Sequence, residues 1–194
     1  MAVEIFEKDS DLVSTLPDYA EGAFLTFALY YDNTGGKAIG WVWPLAYVDF
    51  TNLTDLTLAS QVTLATCECY QSSAANSVTG RWQRCTADPS WVENSVTYNN
   101  LPYTARDAAV VSDDVVCAST GWKTWTITDM VKDAITNRAS IWQAVMIGVA
   151  YTPNVVSQAL FYSKEYTIDT SLWPKITITY TVSGVTFTAK IMMF

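Results

Sequence analysis

Histidine is missing altogether from the 194 residues. Its absence removes the commonest general base and the commonest neutral metal ligand. Neither a Ser-His-Asp nor a Cys-His site can be built from this chain. Charge is scarce too, at 15% Asp, Glu, Lys and Arg, and it is unbalanced: 11 basic against 19 acidic residues, a net charge of −8. The Lys and Arg are scattered. Nucleic-acid backbones are held by clustered Lys and Arg, so no nucleic-acid partner is expected, and an anionic membrane face is disfavoured for the same reason. The acidity is read as a contribution to solubility. Long hydrophobic runs are lacking as well. The most apolar stretch, Ala23 to Tyr31, is too short to span a bilayer. It follows Asp9, Asp11, Asp18 and Glu21, the wrong flank for a secretory signal. No membrane insertion is expected and no signal peptide is visible. A chain working outside the cell has then either lost its signal or travels by another route.

Half the residues are apolar, with eight Trp and eleven Tyr. Thr and Val are abundant, and such β-branched and aromatic side chains suit a pleated surface. The length allows one large all-β domain. A core of this size needs neither disulfide nor metal to hold it.

The pattern predicts short strands at Val3–Phe6, Phe24–Tyr31, Trp41–Phe50, Val62–Tyr70, Gly80–Thr86, Trp122–Ile127, Ala144–Ala150, Leu160–Ser163 and Lys175–Val182. Pro44 is a candidate break in the third. Asp9–Tyr19 and Asp88–Pro102 read as loops, and Asp32–Gly36 as a turn. Gln71–Thr79 reads as a polar loop closing a hairpin. One helix is predicted over Thr128–Arg138, with Thr128 as N-cap, Asp129 at the positive end, and Val131 and Ile135 on one face. Ala144–Ala150 is expected to be buried on both faces. Many short strands and one helix predict an all-β, antiparallel jelly-roll β-sandwich.

Cys67 and Cys69 alternate with Thr66 and Glu68, so they share one strand face. The preferred reading is that both are buried thiols, packed as small hydrophobes. Two others stand beside it. A four-thiolate zinc site with Cys85 and Cys117 is disfavoured by the C-x-C spacing. A Cys67–Cys85 bridge requires the Gln71–Thr79 hairpin to set the two opposite each other.

Three linked motifs carry a resemblance. Ser90-Trp91-Val92-Glu93-Asn94-Ser95-Val96-Thr97-Tyr98-Asn99-Asn100-Leu101-Pro102 looks like W-x-E-x-S-V-T-W-N-N-x-P. Gly121 to Val131 looks like G-W-x-x-F-D-V-T-x-x-V. Phe161-Tyr162-Ser163-Lys164-Glu165, followed by Trp173-Pro174-Lys175-Ile176, looks like F-x-S-R-E followed by R-P-x-L. In order and spacing over roughly residues 2 to 182 the chain resembles the DNRLRE (disaggregatase-related) carbohydrate-binding-like family. The resemblance implies a jelly-roll sandwich of the carbohydrate-binding-module kind. Family members are appended to surface polysaccharide-active enzymes, archaeal envelope proteins and adhesins, and some similar modules bind uronic-acid polymers. It implies that Cys67 and Cys69 replace core leucines. It also implies that Trp91, Glu93, Trp122, Trp125, Phe161 and Glu165 form a structural motif, with the three tryptophans in the core. The chain departs from the pattern at Trp41–Pro44, where the family carries a basic residue, and at Thr126, which replaces an Asp. It also continues beyond Val182.

Glu93 and Glu165 invite comparison with the paired carboxylates of glycoside hydrolases. Their motif positions favour loop-pinning acceptors instead, and no catalytic residue is assigned. Asp9, Asp11, Asp18, Asp49, Asp113 and Asp114 offer hard oxygens for a structural calcium, without EF-hand spacing; no ligand set is assigned. Sugars stack on exposed aromatic faces, and Trp41, Trp43, Tyr30 and Tyr31 are the candidate carbohydrate-binding residues. Beyond the pattern at 1–182, residues 183–194 alternate with an oily face of Val185, Phe187, Ala189, Ile191 and Met193. A further strand is expected there, placed across a subunit boundary. The leading expectation is a non-enzymatic structural or adhesive protein of an extracellular or virion-surface assembly (decoration, fibre or envelope filament), homo-oligomeric or joined to other subunits through that strand. The alternative is a stand-alone carbohydrate-binding module for a cell-surface or extracellular polysaccharide, with a hydrolase third.

Overall fold

Twelve strands, most of them with apolar residues two apart, form in the computed structural model, which describes residues 6–13, 26–32, 40–86 and 106–192. They are β1 (Phe6–Val13), β2 (Thr26–Asp32), β3 (Gly40–Asp49), β4 (Val62–Ala75), β5 (Val78–Cys85), β6 (Arg106–Val111), β7 (Val115–Cys117), β8 (Gly121–Thr126), β9 (Ile141–Tyr151), β10 (Val156–Tyr162), β11 (Lys175–Val182) and β12 (Val185–Met192). One helix, α1 (Thr128–Asn137), lies between β8 and β9.

Pairing is antiparallel throughout and runs β12-β11-β4-β10-β2-β3-β9-β5-β6, with β1 on β3, β7 on β5 and β8 on β4. The ends of this path face each other. The Trp125 indole N–H, on β8, donates to the Gly80 carbonyl on β5 at 2.9 Å, although β4 and β5 are five strands apart along the path. The sheet therefore folds over as a β-sandwich around one core. Trp82 lies edge-on to both Trp125 and Trp142, at 6.2 and 5.6 Å, and Phe161 packs against Trp125 at 5.9 Å. Gly80 lets the layers approach closely here, since a Cβ would come within 2.9 Å of Leu29 Cδ2 and 3.3 Å of Met146 Sδ and force those side chains to shift.

Several expectations are corrected. Of the segment Asp9–Tyr19 read as a loop, Asp9–Val13 belongs to β1, held by its register with β3 from Phe6↔Val48 to Val13↔Val42; residues 14–19 lie outside the described residues. Backbone pairing to a neighbour outweighs its weak strand propensity. Pro44 does not break β3. It is in register with Asp11 of β1, and it lies between the pairing of β3 with β2, which ends at Val42, and that with β9, which begins at Leu45. β9 is buried from Trp142 to Ile147 and then exposed from Gly148 to Tyr151, so only its first half is covered on both faces. Thr128 is not the cap of α1. Ile127 holds that position, and the Thr128 hydroxyl instead accepts the Ala65 N–H at 2.9 Å, pinning the helix to β4.

Gln71–Thr79 is not a hairpin loop. β4 runs on to Ala75, and the chain turns at Asn76, which has φ 58° and whose side-chain amide donates to the Val156 carbonyl at 2.6 Å. β5 then joins the other layer. Cys67 sits opposite Ile176 and Trp125, and Cys85 opposite Arg106. The geometry that a Cys67–Cys85 bridge needed is absent, and all four cysteines are buried free thiols.

The C-terminal strand is real, but its partner is within the chain. β12 pairs with β11 from Val182↔Val185 to Lys175↔Met192. Ser183 and Gly184 make the two-residue turn with φ of 48° and 80°, the left-handed pair that right-twisted hairpins select. No subunit boundary is needed to pair it.

Candidate functional site

On β4 the buried residues Ala65, Cys67 and Cys69 face the core, and Thr66, Glu68 and Tyr70 face outward. Register places Trp122 of β8 beside Tyr70, and Trp125 beside Cys67. Trp122 and Trp125 are three apart, so strand alternation sends them to opposite faces. Trp125 is 0% exposed and Trp122 is 37% exposed. The expectation of a core Trp122 is therefore corrected, whereas Trp125 and Phe161 are core as expected.

The outward face gathers a row of rings. Trp122 meets Tyr70 edge-on at 5.5 Å, Tyr70 lies parallel to Tyr162 of β10 at 5.9 Å, and Tyr162 stacks on Tyr166 at 3.8 Å. The Lys175 ammonium sits 3.5 Å from the Trp122 ring centroid and 3.7 Å from Glu68. A contact between the Tyr162 and Tyr166 hydroxyls, followed by burial, holds the Tyr166 phenol above its ordinary value. The segment after β10 is fixed by its own hydrogen bonds. Tyr166 N–H donates to the Ser163 carbonyl at 3.3 Å and the Trp173 indole to the Tyr166 carbonyl at 2.6 Å. Asp169 caps the turn at Thr170–Leu172. The rings are thus presented already ordered, which lowers the entropic cost of binding. Chemically the face offers aromatic surface with hydroxyls and one ion pair at its edge, the mixture that sugar rings require.

Glu165 serves the same segment. Its carboxylate pairs with Lys164 at 3.0 Å, and its backbone N–H donates to Ser163 Oγ at 3.2 Å. Trp91 and Glu93 lie outside the described residues. Of the aromatic candidates from the sequence, Tyr30 and Tyr31 are half-buried on β2. Tyr31 lies 4.0 Å from Tyr151, and the Tyr30 hydroxyl donates to Asp32 at 3.4 Å. Burial first, and Asp32 second, push the Tyr30 phenol up. Backbone register sets Trp41 opposite Tyr31 and Trp43 opposite Leu12; the side chains of both tryptophans lie outside the described set. Of the calcium candidates, the side chains of Asp9, Asp11 and Asp18 lie outside the described residues, and the other three have partners. Asp49 accepts from Thr51 N–H, Asp113 from Thr126 N–H, and Asp114 holds Arg81 at 2.5 Å. Among the described residues no three His, Cys, Asp or Glu gather to hold a metal, which also leaves the four-thiolate reading without a site. No described helix is long and apolar enough to cross a membrane.

Sequence reasoning missed Tyr70, Tyr162, Tyr166 and Lys175 as a group. The one local signal was the odd spacing between Trp122 and Trp125. In comparisons with known proteins, residues 22–180 match the family model for carbohydrate-binding module family 96. A search of curated proteins found no match.

Proposed function

The chain belongs to carbohydrate-binding module family 96, and from that premise we propose that it is a non-catalytic module that holds an extracellular or cell-surface polysaccharide on its outward aromatic row. The observation that carries this reading is the row itself: Trp122, Tyr70, Tyr162 and Tyr166, from three strands and a loop, in unbroken ring contact on one face. A non-catalytic role is supported by the absence of histidine and by the engagement of Glu165 with Lys164. The finer assignment to the DNRLRE-like domains rests on the motifs at Gly121–Val131 and Phe161–Glu165. The surface-assembly reading loses its main sequence support, because the strand meant to reach a neighbour pairs with β11. The order of the two hypotheses is therefore reversed.

Titration calorimetry against a panel of soluble polysaccharides tests the proposal. Trp122→Ala and Tyr162→Ala are expected to weaken binding by roughly tenfold or more, as anchor residues do. Tyr31→Ala, on the other aromatic patch, is expected to leave it unchanged. Loss of binding in Tyr31→Ala, with Trp122→Ala unaffected, moves the site to the β2 face and refutes the assignment.

A further inference from the structure

The β11–β12 hairpin overhangs one end of the core. Tyr180 and Phe187 are register partners, and their rings stack 5.5 Å apart at 22°. Tyr180 is buried, whereas Phe187 is 39% exposed and Val185 55% exposed. Facing them is the loop that follows β3. The two enclose a groove of about 400 Å³ whose walls include Asn52, Thr54, Asp55, Thr186, Phe187 and Thr188. That volume is within the range of small-ligand sites.

The loop wall is built to stay put. Leu53 N–H donates to the Phe50 carbonyl at 2.9 Å and Leu56 N–H to the Leu53 carbonyl at 2.8 Å. Gln61 closes it from behind. Its amide donates to the Asp55 carbonyl at 3.0 Å, and its side-chain oxygen accepts the N–H groups of Thr57 and Leu58 at 2.9 and 2.6 Å. Among the described lining residues the walls offer the stacked Phe187 and Tyr180 rings, the Thr54 hydroxyl, the Asn52 carboxamide and the Asp55 carboxylate, with no Lys or Arg; the hydroxyls of Thr186 and Thr188 alternate with Phe187 to the other face of β12, where Thr186 meets Thr181. Asp55 is the one charged side chain among the described lining residues, so the charge on the walls is negative. An anionic ligand is repelled there, while a ligand bearing neutral hydroxyls finds acceptors and donors beside a stacking surface.

We propose that this groove is a second carbohydrate site, selective for neutral over uronic-acid sugars and independent of the outward aromatic row. Tyr180 and Phe187 lie on the inward side of the hairpin, whereas Lys175, which touches Trp122, lies outward at the other end of β11. The two sites share no residue. The inference rests on the preceding reading only in taking the ligand to be a carbohydrate. With two sites one module bridges two chains, and avidity follows from their linkage.

Calorimetry on the intact chain separates the sites. The probes are neutral gluco-, xylo- and manno-oligosaccharides and an oligouronate of equal length. Trp122→Ala is expected to retain binding to at least one neutral probe and none to the oligouronate. Adding Phe187→Ala to Trp122→Ala should weaken the retained binding by about tenfold or more. Asp55→Ala, at an exposed position, repeats the test without touching the stacked pair and serves if Phe187→Ala fails to fold by circular dichroism. Retained binding that is lost in Phe187→Ala alone, with Trp122→Ala unchanged from wild type, supports the groove and removes the aromatic row. Trp122→Ala that binds no neutral probe overturns the groove and leaves the row standing. Oligouronate binding that depends on Phe187 overturns the selectivity, and identical titrations of wild type and Phe187→Ala overturn the site.

Discussion

Replacing Trp125 and Trp122 separately by Ala gives two tests of one strand. Trp125 is 0% exposed, lies between Trp82 and Phe161, and donates to the Gly80 carbonyl. Truncating a buried ring costs roughly 3–5 kcal/mol through lost transfer energy and the cavity left behind. The orphaned Gly80 carbonyl adds about 1–3 kcal/mol unless water reaches it. Gly80 has no side chain to relax into the space, so the upper part of that range is expected. Trp122 lies on the other face, 37% exposed. Its removal forfeits the edge contact with Tyr70 and the Lys175 ammonium over its ring; the cation–π part is worth about 0.5–1 kcal/mol at such a site. The assay is urea unfolding followed by far-ultraviolet circular dichroism, with the slope checked for constancy. A thermal melt followed the same way gives the second reading: at about 2–4 °C per kcal/mol for a chain of this size, Trp125→Ala should lower Tm by on the order of 10 °C, and Trp122→Ala by a few degrees at most. If Trp125→Ala costs below about 1 kcal/mol, or the two variants are equally destabilised, the placement of these rings on opposite faces is wrong.

Three other outcomes are expected. Burial pushes the Cys117 thiol up to about 11, and Cys67, Cys69 and Cys85 are buried in the core as well. Native protein should therefore resist a thiol reagent at mildly alkaline pH, whereas urea-unfolded protein reacts at all four positions; rapid native labelling contradicts the burial. Deleting residues 183–194 uncovers the edge of β11, so Tm should fall while sedimentation shows association unchanged. A stable truncation that loses an oligomeric state points back to a neighbouring subunit. The Ala109 N–H, and then the Arg84 guanidinium, hold the Asp107 carboxyl below its ordinary value of 3.8. Its contribution is full above that value and disappears as pH falls through the lower folded one. Urea midpoints measured from about pH 5 down to about pH 3 should therefore drop more steeply in wild type than in Asp107→Asn, and parallel curves refute the coupling.

Sequence alone determined what depends on near neighbours in the chain. Alternating Thr, Val and aromatic residues specify strands because the side-chain period of a strand is two. The change to helical spacing at Thr128 specifies α1, observed at Thr128–Asn137 against an expectation of Thr128–Arg138. Cys67 and Cys69 on one face follow from the same local rules, whereas the core role of Trp125 and Phe161 was expected from the family resemblance. The outward side of Trp122 was available to them as well, from its odd distance to Trp125.

Tertiary structure decided what depends on which strands meet. β4 and β5 are consecutive but belong to opposite layers, so the turn at Asn76 that resembles a hairpin connects the two layers instead. Polar β1 becomes a strand only because β3 offers it a ladder. The aromatic row joins residues 70, 122, 162 and 166 through the pairing of β4 with β8 and with β10. The groove at Phe187 exists because β12 turns back on β11 to face a loop more than a hundred residues earlier in the chain. Local patterns assign a side chain to a face of its strand. Which faces then adjoin is set by long-range pairing and the closing of the sandwich, where many weak contacts act together.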